Sequence, residues 1–151
     1  MPLFLIVAAV AASPIDGTWQ LDAKASDPLD PLLEARGVGW LERKVAARMR
    51  PVLTIRSEGD GLVVTTDSSL GSHSETWVPD GVERDHTGQD GRTAKCRTAW
   101  EQEVLVVRCA AGTGGFVVRR SVVDGRLEQH LRFEPTDAEP VEVRRVFTPV
   151  P

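Results

Sequence analysis

Residues 32–51 read LLEARGVGWLERKVAARMRP, the one stretch of this 151-residue chain that reads convincingly as helix. Leu41, Val45 and Met49 recur at i, i+4 and i+8 with Ala46 beside them, the spacing of a single apolar helical stripe. Gly37 and Gly39 break the run, so two short helices are predicted. Asp30 followed by Pro31 fits an N-cap with proline at the first helical position, and Pro51 stops the second helix near Arg48. One short strand, at Trp19, precedes the helices, and almost everything after them alternates at period two. Two helices near the start of a long antiparallel meander suggest a barrel with a lid.

The rest of the chain fits that frame. Strands are predicted at 16–21, 52–57, 62–67, 73–78, 82–87, 93–100, 104–110, 115–123, 126–133 and 141–148, ten in all. Asp-Gly pairs at 80–81, 90–91 and 124–125 are strong hairpin signals. Evenly spaced strands joined by tight turns imply an all-β, ten-stranded, antiparallel up-and-down β-barrel, with a helix-turn-helix lid after the first strand. No repeat or linker divides the chain.

Composition excludes several functions. Net charge is −4 and no basic run is interleaved with aromatics, so nucleic acid is not an expected partner. The three histidines do not stand at metal-ligand spacings, and neither a metal nor a cofactor is expected. There is no nucleophile elbow, HExxH or carboxylate-pair motif, so no catalytic residue is assigned and no enzyme is expected. The helical stretch departs from the overall charge: Arg36, Arg43, Lys44, Arg48 and Arg50 face only Glu42, a net of +4 between residues 36 and 50. Such a face is either simply solvated or able to steer an anionic partner.

The first residues, MPLFLIVAAVAA, are too short to span a bilayer but suit the apolar part of a secretory signal, although no Lys or Arg precedes them. The expected organisation is a signal peptide at 1–13 and a single domain at 14–151, periplasmic or secreted. If the run is a buried first strand instead, the protein is cytoplasmic. Cys96 and Cys109 lie at matching distances from the turn at 101–103, so in a hairpin they face each other within disulfide reach. They form a disulfide in an oxidising compartment, or two small buried thiols otherwise.

Alternation also assigns faces. Leu127, Gln129, Leu131 and Phe133 share one; Phe116, Val118, Arg120 and Val122 another; Val143, Arg145 and Phe147 a third. If the apolar members point inward, Arg120 and Arg145 go with them. Buried unpaired guanidinium is costly, and an anionic ligand is the simplest remedy. The alternative is that either arginine lies outside or pairs with a nearby carboxylate.

Asp16-Gly17-Thr18-Trp19, the segment GVGWLERKVA at 37–46 and Pro51 resemble the start, lid and following proline of the intracellular fatty-acid-binding proteins. Glu58-Gly59-Asp60 resembles their first hairpin turn, Val122 to Leu127 a later one, and Val143 to Phe147 their last strand. The resemblance runs in order from Asp16 to Thr148 and implies a flattened barrel that binds a long-chain carboxylate under a helical lid. Family members hold the carboxylate with two arginines and a tyrosine. Those positions fall on Arg120, Arg145 and Phe147, the last a departure, since this chain has no tyrosine. An export signal is a second departure, and the chain reads as an exported, bacterial-type variant.

The expected function is non-enzymatic binding or transport of a fatty acid or similar small hydrophobic carboxylate. Its ligand-binding residues would be Arg120, Arg145, Phe147, Gln129 and Leu131, with Leu41 and Val45 at the cavity mouth. A monomer is expected, with transient contact to anionic membrane surfaces through the basic lid. The competing reading is a protein-binding or inhibitory lipocalin-like module with a filled barrel.

Overall fold

The computed structural model describes residues 11–89 and 91–151. Residues 1–10 of the expected signal peptide lie outside them, as does Asp90 of the second Asp-Gly pair. In chain order come β1 (Gly17–Leu21), α1 (Asp30–Ala35), α2 (Trp40–Arg48), β2 (Val52–Glu58), β3 (Gly61–Ser68), β4 (Gly71–Trp77) and β5 (Arg84–Thr87). They are followed by β6 (Thr93–Glu101), β7 (Val104–Ala111), β8 (Gly114–Val123), β9 (Arg126–Pro135) and β10 (Val141–Pro149).

All ten strands form one antiparallel sheet in the order β4-β3-β2-β1-β10-β9-β8-β7-β6-β5. β1 joins the two ends of the meander, setting Trp19 opposite Leu53 on β2 and Pro149 on β10. The free edges therefore fall on β4 and β5, which are consecutive in the chain. The sheet curls until these edges meet through side chains: His86 lies 3.2 Å from Glu75 Oε1, and its ring centroid is 4.4 Å from that of Trp77. The expected barrel is present, with a seam that no backbone ladder closes.

That seam corrects one hairpin expectation. Asp80-Gly81 does not join a paired hairpin, and β5 starts at Arg84 rather than at 82. The Asp80 carboxylate accepts from Val82 N and from both terminal nitrogens of Arg84, while Gly81 N donates to Thr98 of β6. These bonds draw the connection away from β4. At Asp124-Gly125, by contrast, φ is 52° and 75°, both positive as a type I′ hairpin requires, and Val123 pairs with Arg126.

One end of the barrel is filled. Ile15, Trp19, Leu21, Leu53, Ile55, Leu62 and Val64 are buried there, and Trp19 Nε1 donates to the Ile15 carbonyl at 3.1 Å. Each such side chain contributes about 1.5–3 kcal/mol on burial. Asp16 pins the start of the domain to β2, accepting from Ser57 N at 2.8 Å and Ser57 Oγ at 2.9 Å.

The lid is seated by one helix only. α1 buries Leu32 against Phe133 and Val143, whereas α2 packs on α1 and buries no residue. Leu29, not Asp30, is the N-cap of α1, and no side chain caps it. The Asp30 carboxylate, one residue inside the helix, instead pairs with Arg43 of α2 at 3.0 Å.

Candidate functional site

Between β4–β9 and the α1–α2 turn the barrel holds a cavity of about 610 Å³ that opens to the outside. Volumes of this size are typical of small-molecule sites. Trp77, Val107, Phe116, Val118, Leu131 and Phe133 supply an apolar wall. Cys96 and Cys109, opposite each other on β6 and β7, are disulfide-bonded and form part of the same wall. Direct cross-strand pairing is what brings the two sulfurs within bonding distance. Among the described residues, no group of three His, Cys, Asp or Glu side chains is placed to hold a metal ion.

Arg120 supplies the cavity's buried charge. Period two on β8 puts it on the face of Phe116 and Val118, and it is 8% exposed. Register sets it opposite Gln129 on β9, whose Oε1 accepts from Arg120 Nε at 2.9 Å. Among the described residues, no hydrogen bond occupies its terminal nitrogens and no carboxylate lies within 4.0 Å. Burial pushes the guanidinium down to about 10, and the attraction of Glu75 opposes this only in part. It is therefore still cationic at neutral pH, with one neutral partner.

Arg145 is arranged differently. It shares the β10 face of Val143 and Phe147 but is half-buried, and its Nη1 donates to the Asp27 carbonyl at 2.9 Å. Burial and then the nearby Arg50 push its pKa down, while Asp27 opposes. It does not line the cavity. Phe147 is 2% exposed in the main core, and Leu131 lines the cavity, with Gln129 reached through Arg120. Leu41 and Val45 are 66% and 41% exposed on α2 and do not reach the cavity. At the mouth stand Arg36, Gly37 and Val38 instead, with the Arg36 guanidinium 4.8 Å above the Phe116 ring.

Three further cavity residues escaped the reading of the sequence: Glu75, Trp77 and His86. The signal was available on β4. His73, Glu75 and Trp77 alternate there, so a buried Trp77 carries Glu75 inward, by the same logic that places Arg120. Glu75 Oε1 receives both imidazoles, His73 Nε2 and His86 Nε2, each at 3.2 Å.

A ten-stranded barrel with a side-chain seam, a two-helix lid and an internal cavity with one apolar wall defines a calycin-like barrel. No protein-family model matches the chain. It is 36% identical over 95 residues to cellular retinoic acid-binding protein 1 of Takifugu rubripes, covering 62% of this chain and 66% of that protein. It is 30% identical over 92 residues to retinoid-binding protein 7 of Mus musculus, covering 60% and 67%. The solved structure of the REP1-NXSQ fatty acid transporter superposes with a TM-score of 0.78 at 25% identity, over 91% of this chain and 96% of that one. The chain belongs to the intracellular lipid-binding protein family, which groups the fatty-acid-binding and retinoid-binding proteins.

Proposed function

We propose that this protein is a non-catalytic carrier that takes one hydrophobic carboxylate, a fatty acid or a similar amphipathic acid, into the barrel cavity with its head group at Arg120. The observation that carries this reading is the buried guanidinium on the cavity wall, which among the described residues is hydrogen-bonded to Gln129 through Nε and to nothing through its other two nitrogens. Planar guanidinium matches a carboxylate through two parallel bonds, and low polarity strengthens them. The tail contributes about 0.8 kcal/mol per buried methylene, so chain length supplies most of the affinity. Phe147 in place of a tyrosine, and Arg145 engaged with Asp27, favour a head-group site built on one arginine. The printed names of the relatives, retinoic acid-binding protein and fatty acid transporter, support the ligand class. The cavity volume speaks against the filled-barrel reading of a protein-binding module.

The same reading includes export and delivery. A disulfide suits an oxidising compartment, which supports a periplasmic or secreted location. The exposed basic residues of α2, with Trp40 and Leu41 beside them, suit transient contact of a monomeric carrier with an anionic membrane surface.

Titration of the delipidated protein with a fluorescent long-chain fatty acid tests the proposal. Saturable one-to-one binding is expected, displaced by unlabelled fatty acid. Arg120→Met should weaken carboxylate binding by at least about tenfold while leaving the methyl ester nearly unchanged. Equal losses for acid and ester would show that Arg120 does not hold the head group.

A further inference from the structure

A fixed carboxylate inside a cavity built for an anion is an anomaly. Glu75 lines the same cavity as Arg120 and attracts it, yet the two are not in contact: no ion pair joins them within 4.0 Å among the described residues. Glu75 is not merely a counter-ion, because its position is set by other groups. His73 on its own strand and His86 across the seam both engage Oε1 at 3.2 Å, and His86 is braced in turn on the Trp77 ring. Among the described residues no hydrogen bond reaches Oε2. The side chain is 25% exposed, with the cavity beside it. Two imidazoles thus hold one oxygen and leave the other as a pre-positioned acceptor.

We infer that the cavity is built for a hydrophobic carboxylate bearing a second polar group, a hydroxyl on the chain, whose proton is donated to Glu75 while the carboxylate meets Arg120. The inference rests on the carrier reading above and deepens it. A plain alkyl acid would offer the free Glu75 oxygen no donor of its own and would place its own negative charge in the field of Glu75. Once a bound chain displaces water from this wall, an unmade hydrogen bond discriminates against the ligand that lacks the donor. A hydroxylated acid satisfies both polar groups at once, and its apolar chain fills the space between them.

The test uses the delipidated full-length protein and two sets of probes: hexadecanoic acid and its monohydroxylated positional isomers. At least one isomer should bind about tenfold more tightly than hexadecanoic acid, because a hydrogen bond to a charged acceptor is gained. Glu75→Gln should tighten hexadecanoic acid binding and cut that preference to about threefold or less. The wild-type isomer series stands by itself if the variant does not fold, which thermal unfolding would reveal. The proposal is overturned if every isomer binds no better than hexadecanoic acid, or if the preference survives Glu75→Gln unchanged. In both cases retained binding of hexadecanoic acid leaves the carrier reading intact. Failure of all these acids to bind would overturn that reading, and this proposal with it.

Discussion

Arg120 on β8 and Gln129 on β9 stand opposite each other in register, joined by one hydrogen bond of 2.9 Å from Nε to Oε1. The bond orients the guanidinium without neutralising it. A buried cation held only by a neutral amide lowers the stability of the empty barrel, and replacing it with an apolar group of similar volume relieves that strain. Arg120→Met should therefore stabilise the ligand-free protein by about 1–3 kcal/mol, read by urea unfolding after delipidation. Destabilisation would show that the charge is already satisfied within the protein.

The same residue sets a pH dependence. Burial lowers its pKa to about 10, so carboxylate affinity should hold through neutral pH and fall as pH rises through about 10. Affinity for a methyl ester should not follow that curve. Parallel curves for acid and ester would assign the alkaline loss to unfolding.

Asp16 links the start of the domain to β2. Burial pushes its carboxyl up, but hydrogen bonds from Ser13 and Ser57 outweigh this and hold it below the usual carboxylate range. A depressed carboxylate contributes stability above its unfolded value, and that contribution is lost as pH falls through the lower folded value. In the chain that keeps Ser13, Asp16→Asn should cost about 0.5–1 kcal/mol at pH 7, a figure reduced by solvent screening, with the difference from wild type shrinking below about pH 4. Thermal unfolding across pH checks this.

Cys96–Cys109 closes a loop with a sequence separation of 13. Cross-linking a loop of this length stabilises by about 3 kcal/mol through the unfolded chain. Reduction, or the double change to alanine, should lower unfolding stability by about that amount and leave the strand order intact. A loss of sheet structure by circular dichroism on reduction would contradict the second part.

The strands were legible because the chain alternates wherever one face is buried, and even the cysteine pairing followed from counting outward from the 101–103 turn. The seam was not. Asp80-Gly81 has the composition of a hairpin turn, and its diversion depends on the Arg84 side chain pairing with Asp80 and on Gly81 N donating to the Thr98 carbonyl, a partner on β6 distant in sequence. Leu41 and Val45 made a clear helical stripe, yet periodicity says which residues share a face and not what that face meets. Here α1 takes the seat on the barrel, through Leu32, and leaves α2 outside. Arg145 illustrates the same limit: its strand face was legible, but residues 22–27 run beside β10 and offer the Asp27 carbonyl.

The exposed charge on α2 carries its own expectation. Lys44→Gln with Arg48→Gln should slow ligand transfer to vesicles rich in anionic lipid by up to about thirtyfold, since each of the two basic residues near such a surface is worth about 1 kcal/mol. Neutral vesicles should show little change, and high salt should remove the difference.

Native mass spectrometry of the protein purified from its own host, with solvent extraction of whatever it carries, bears most directly on the carrier function. One bound hydrophobic acid per chain is predicted in the wild type, and a large loss of that species in Arg120→Met. A wild-type protein that emerges empty and also takes up no added fatty acid would contradict the account.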